Sequence, residues 1–140
     1  GANVEIRDAV GADNFFLFGL NAQEVQERRR SGYRPADVIN ASERLRDVLS
    51  LVASGAVSRG DKQLFSPLLD ALWNWDEYML AADFQSYVDC QQRAGELYER
   101  PGDWTRMSVL NVARMGRFSS DRTIREYCEN IWLVQPVRPE

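Results

Sequence analysis

The sequence predicts a predominantly α-helical fold, five or six helices with one or two short strands at its start, and three observations carry that prediction. Leu45, Val48, Leu49 and Val52 recur at the i, i+3, i+4, i+7 spacing of an amphipathic helix. Helix-start signals return along the chain, as Asn21 with Glu24, Asn40 with Glu43, and Ser119-Ser120-Asp121. Strand-like runs are confined to the beginning, where Val4 to Ile6 and Phe15-Phe16-Leu17-Phe18 flank the turn residues Gly11-Ala12-Asp13-Asn14. The expected organisation is a strand-rich start over residues 1–20, a helical body over 21–133 and an extended tail over 134–140.

Each element follows from its residues. Phe15 to Phe18 is apolar on both faces and closed by Gly19, which suits a strand buried in a parallel sheet. Such a strand needs neighbours that so few strands cannot supply, so the sheet partners are expected upstream. The chain also opens on Gly1 without a methionine, and it reads as a piece cut from something longer. Asn21 with Glu24 forms a capping box for a helix that runs to about Ser31 and stops at Gly32. Asn40 with Glu43 starts a second helix, ending before Gly55. A polar loop from Ser58 to Asp61 leads to a third, marked by Leu64, Phe65, Leu68, Leu69 and Leu72. Pro67 must lie in its first turn or kink it. Trp73 to Asp76 reads as a turn, and Tyr78 to Ala81 as a short strand or an extended connector. Asp83 caps a helix carrying Phe84, Tyr87, Val88, Cys90, Ala94 and Leu97. Pro101 begins another that ends near Gly116, and Ser119 or Ser120 caps the last, with Ile124, Tyr127, Cys128 and Ile131 as its apolar stripe.

Composition closes off several chemistries. Among 140 residues there is no histidine, and the 17 basic side chains include one lysine, Lys62. Nucleophile–histidine pairs and histidine metal sites are excluded, and a Schiff base has a single candidate. Cys90 and Cys128 show no CxxC spacing and read as free thiols of a chain in a reducing cytoplasm, since no signal peptide or membrane-length apolar run is present. A net charge of -4 argues against a nucleic-acid partner.

The remaining constellations are weak. Asp76 and Glu77 are adjacent, so they do not converge as an acid–base pair and read as a solvated turn. Ser119-Ser120-Asp121 lacks a base and reads as a helix cap. Arg114, Arg117, Arg122 and Arg125 gather around the turn into the last helix, where pairing with Asp121, Glu126 and Glu129, or docking to another domain, outweighs anion binding. Of Trp73, Trp75, Trp104 and Trp132, the last two sit at helical spacing among aliphatic residues and read as core or interface anchors rather than sugar platforms.

Gly1-Ala2-Asn3-Val4-Glu5-Ile6, Asn14-Phe15-Phe16-Leu17-Phe18-Gly19, Gly32-Tyr33, Ala82-Asp83-Phe84, Tyr87-Val88-Asp89-Cys90-Gln91 and Trp104-Thr105-Arg106-Met107 occur in that order. With the block from Phe118-Ser119-Ser120-Asp121-Arg122-Thr123-Ile124 to Tyr127, and with Ile131-Trp132, they resemble the C-terminal end of the glycogen (α-glucan) phosphorylases, with a bacterial flavour. The resemblance covers nearly the whole chain. It implies a fragment of the α/β C-terminal lobe of a two-lobed GT-B glycosyltransferase. In that family pyridoxal 5′-phosphate helps phosphate release glucose 1-phosphate from an α-glucan, and the cofactor's own phosphate group handles the proton. The cofactor lysine and the glycine-rich sugar segment belong upstream of the Gly-Ala-Asn-Val-Glu stretch.

No position here matches those motifs, so the expected catalytic, cofactor-binding and metal residues of this chain are none, and Lys62, in a polar loop, is a bystander. The expected partners are the remainder of the phosphorylase chain, α-glucan and phosphate for the parent, and other copies of the fragment, without nucleic acid or membrane. The chain alone is expected to be structural and inactive. The competing expectation is a free-standing helical interaction module derived from the phosphorylase C-terminus.

Overall fold

The computed structural model describes residues 2–135 and 137, and among them the regular elements are all helical, with no strand. It divides into two compact units, residues 17–93 and residues 1–16 with 94–140.

The unit of residues 17–93 is built on α2 (Ala22–Arg30), α3 (Pro35–Ala41), α4 (Glu43–Ala53), α5 (Ser66–Asn74) and the first part of α6 (Leu80–Tyr98). The Asn21 capping box forms as expected: its side chain accepts from Gln23 and Glu24, and Glu24 reaches back to the Asn21 amide. Pro67 lies in the first turn of α5, where its missing N–H costs nothing. Buried Ile39, Leu45, Leu49 and Ala81 form the core of this unit, with Val38, Leu69, Leu72, Trp73 and Phe84 packed against them.

Asn40 does not start α4. Pro35 begins a separate helix one turn earlier, Asn40 falls inside it, and Ser42 caps α4 by accepting from the Leu45 amide at 3.3 Å. Trp73 and Asn74 belong to the last turn of α5, so the turn itself spans residues 75–79. Tyr78 to Ala81 is neither strand nor connector, because α6 already begins at Leu80. Asp83 is consequently not its cap. It sits inside the first turn, and its carboxylate accepts from the Leu20 amide at 2.8 Å. Gly19, at φ 85°, lets the loop pass close by: a Cβ there would lie 2.6 Å from the Asp83 carboxylate. The Gly19 amide donates to Ser86 Oγ, and Phe18 meets Tyr87 edge to face.

The true cap of α6 is Asp76. Its carboxylate accepts from the amides of Leu80 at 2.8 Å and Ala81 at 2.9 Å, and from the Tyr33 hydroxyl at 2.6 Å, while the residue is only 4% exposed. Asp76 adopts φ 36°, a left-handed conformation that its short polar side chain tolerates better than most. A buried carboxylate without such partners would be strongly unfavourable, so the turn and the three donors stand together.

In the other unit the expected strand at Val4 to Ile6 is helix. α1 spans Ala2–Val10, with Ile6 and Val10 one turn apart and Val10 fully buried. Gly11 ends it at φ 89°, its amide donating to the Arg7 carbonyl. A three-residue alternation was too short a window to outweigh that helical spacing. Phe15 is extended, at φ -138° and ψ 127°, but the Phe15–Phe18 run makes no ladder among the described residues and is not a strand here. Within the unit of residues 1–16 and 94–140, α7 (Pro101–Arg114) holds the residues just before Phe15 with side chains. Arg114 donates to the Val10 carbonyl at 2.6 Å, and Asn111 to the Asn14 carbonyl at 3.0 Å. Trp104 lies between Phe16 and Tyr98, ring centroids 6.5 and 5.2 Å away. A tight turn over Met115–Phe118 passes through Gly116, Ser119 caps α8 (Ser120–Tyr127), and the chain then widens into a π-helical turn over Cys128–Trp132. The expected extended tail over 134–140 lies largely outside the described residues.

Replacing Asp76 by Ala removes both amide acceptors and the Tyr33 partner, and is expected to cost about 2–4 kcal/mol of stability, measured as a lowered urea midpoint. Burial first, and then the hydrogen bond to Asp76 and its negative charge, push the Tyr33 phenol well above its ordinary value of 10.0. The folded chain therefore keeps a proton that the unfolded chain releases near pH 10. The contribution is complete below that pH and is lost as pH rises from there toward the folded-state value. Tyr33→Phe is expected to be less stable at neutral pH and to lose less of its remaining stability between pH 9 and 11 (about the range that brackets the free phenol), as followed by chemical denaturation.

Candidate functional site

Lys62 is exposed, and its side chain runs over the loop at Gly55. No group of three or more cysteine, aspartate or glutamate side chains placed to hold a metal occurs among the described residues. Ser119 spends its hydroxyl on the Arg122 amide, which is the capping role its position predicts. The four arginines of the last turn do not converge on one point: Arg114 is committed to the Val10 carbonyl, and Arg122 pairs with Glu126 at 2.9 Å. Cys90 is buried and Cys128 half-buried, each a free thiol. No helix is long and apolar enough to cross a membrane.

Two of the concave regions lined by described residues exceed 400 Å³. One, of about 430 Å³, lies within the unit that holds α7 and is lined by Phe15, Phe16, Trp104 and Met107 with Asn14, Ser108 and Asn111 at its polar edge. It runs along Phe15 and Phe16, so it is the side of an unpaired extended segment rather than a closed pocket. The other, of about 470 Å³, lies within the unit of residues 17–93, between the end of α2 and the turn before α6. Arg29, Tyr33, Trp75, Asp76, Glu77 and Met79 line it.

The second cleft is polar and firmly built. Its floor is the Asp76–Tyr33 pair together with Met79, which is 2% exposed. The Met79 amide donates back to the Asp76 carbonyl at 2.8 Å, and the Trp75 and Asp76 amides both donate to the Ala71 carbonyl. Arg29 ties the end of α2 to the turn by donating to the Glu77 carbonyl at 2.8 Å. Adjacent Asp76 and Glu77 are separated by environment, the first buried and the second exposed. They cannot act as an acid–base pair, as their spacing implied. The expected solvated turn holds for Glu77 and fails for Asp76. Sequence reasoning missed this cleft because Tyr33 and Asp76 lie 43 positions apart. The available signal was Asp76 itself, an Asx residue four positions ahead of a helix.

The match to known proteins extends over almost every element described above. The carbohydrate phosphorylase family pattern covers residues 1–134. Glycogen phosphorylase of Synechocystis sp. is 55% identical over 98% of this chain, and that of Pasteurella multocida 44% identical over 99%. The muscle form from Ovis aries is 38% identical over 99%. This chain spans only 16–17% of the length of those relatives. With its helices, caps and both units inside one continuous match, the chain belongs to the carbohydrate phosphorylase family.

Proposed function

We propose that this chain is the C-terminal segment of a glycogen (α-glucan) phosphorylase, an enzyme that uses phosphate and pyridoxal 5′-phosphate to release glucose 1-phosphate from an α-glucan. The observation that carries the reading is 55% identity over 98% of this chain to a glycogen phosphorylase six times its length (16% coverage). The segment's own contribution is structural. The Phe15 to Phe18 run supplies a strand to a sheet completed by the rest of the polypeptide, the helices cover it, and α8 braces the lobes of a GT-B fold. The parent works in the cytoplasm, consistent with two free thiols.

Pyridoxal phosphate does not fit the residues of this chain. A cofactor aldehyde needs a desolvated lysine, and the one lysine present is exposed on a loop. No phosphate-cradling glycine motif accompanies it, and no step of the reaction is assigned to this chain. The purified chain is expected to retain no cofactor absorbance after dialysis with pyridoxal phosphate and to release no glucose 1-phosphate from glycogen and phosphate. Either signal would overturn the inactive-fragment reading.

Self-association of the separated chain follows from its surface. Leu17, Phe18, Ile124, Ile131, Trp132 and Leu133 are between 45% and 81% exposed, and the Phe15–Phe18 run makes no strand ladder among the described residues. Light scattering is expected to give a dimer or larger species at high protein concentration. A monomeric mass there counts against it.

A further inference from the structure

We propose that Trp75, Glu77 and Arg29 form a binding site for a neutral oligosaccharide, an α-glucan chain, in the cleft before α6. The choice of glucan rests on the functional reading above, whereas the saccharide chemistry comes from the cleft itself.

Trp75 is 71% exposed, and its indole meets no other aromatic ring among the described residues. An indole left in water is a large flat apolar surface, and the ring face of a pyranose, lined with C–H groups, covers such a surface while its hydroxyls remain at the rim. The rim here is polar. Glu77 is exposed and makes no ion pair among the described residues, so its carboxylate is available to accept from hydroxyls. Arg29 uses one N–H on the Glu77 carbonyl and has others to donate to sugar oxygens. The charged lining is Arg29, the exposed Glu77 and the buried Asp76, whose carboxylate is already spent on three donors, so a phosphate would meet carboxylates and an ammonium would meet Arg29, and a polyhydroxylated neutral ligand is favoured over both.

The cleft is also preformed. Trp75 and Glu77 flank Asp76, whose carboxylate is fixed by two amides and a phenol, so the backbone that carries the platform and the acceptor is set before ligand arrives. A volume of about 470 Å³ is within the range that takes one or two sugar rings. The apolar groove beside Phe15 and Phe16 lacks these properties: it has no charged lining residue.

Isothermal titration of the 140-residue chain with maltoheptaose tests the site. A saturable heat is expected. Trp75→Ala should weaken it at least about tenfold and Glu77→Gln severalfold, with far-ultraviolet circular dichroism unchanged, since both side chains are exposed. Absence of saturable heat at millimolar maltoheptaose, or binding that Trp75→Ala leaves intact, overturns the proposal. So does a Trp75-dependent dimer in light scattering without heat of binding, which would assign the face to a second copy. Cellohexaose bound equally well through Trp75 would overturn the α-glucan assignment. Failure of the parent reading is seen separately, as absence of glucose 1-phosphate release by the longer polypeptide that carries this chain.

Discussion

A carboxylate taken out of water must be surrounded by donors, and Asp76 shows how much structure that requirement organises. Its oxygens receive the start of α6 and the Tyr33 phenol, and its own backbone closes the end of α5 through the Ala71 carbonyl. Four pieces of chain thus converge on one residue: the segment after α2, the last turn of α5, the turn itself and the first turn of α6. Apolar packing meets the same place, with Met79 2% exposed and Leu72, Trp73 and Phe84 against the core that includes Ala81, so hydrogen bonding fixes the turn beside a packed core. The exposed residues on either side, Trp75 and Glu77, inherit their positions from it.

The second unit relies on a different economy. Among its described residues Val10 is the only fully buried aliphatic side chain, and many apolar residues on α7, α8 and the turn after them face solvent. Polar side chains of α7 compensate locally by reaching across to backbone carbonyls at Val10 and Asn14. These contacts satisfy the acceptors of a stretch that lacks a regular ladder, without occupying its amides. This apolar exposure accompanies a chain that spans only 16% of the length of a relative 55% identical to it.

Local signals carried the helices well. The Asn21 box, Pro67 in a first turn, Pro101 at a helix start and Ser119 as a cap are short-range chemistry, and each is found where its residues put it. The misreadings came from windows that were too short or from partners too distant. Val4 to Ile6 looked alternating over three residues, yet Ile6 and Val10 share a helical face. Asn40 with Glu43 satisfied a capping pattern, but Pro35 had already fixed a helix through it. The cleft was not legible, because the burial of Asp76 depends on Tyr33, and nothing local separates a buried aspartate in a turn from a solvated one. The family was legible for the opposite reason: a collinear set of short motifs carries identity even where secondary structure is misjudged.

Gly19 ties sequence variation at two places together. With its left-handed backbone and no room for a Cβ beside the Asp83 carboxylate, a side chain at position 19 can be accommodated only if residue 83 gives way. Residue 83 is also what receives the Leu20 amide, so moving it unfastens the loop from α6. The two positions therefore form one mechanical latch: the missing side chain at 19 is the space in which the carboxylate at 83 sits to hold the loop.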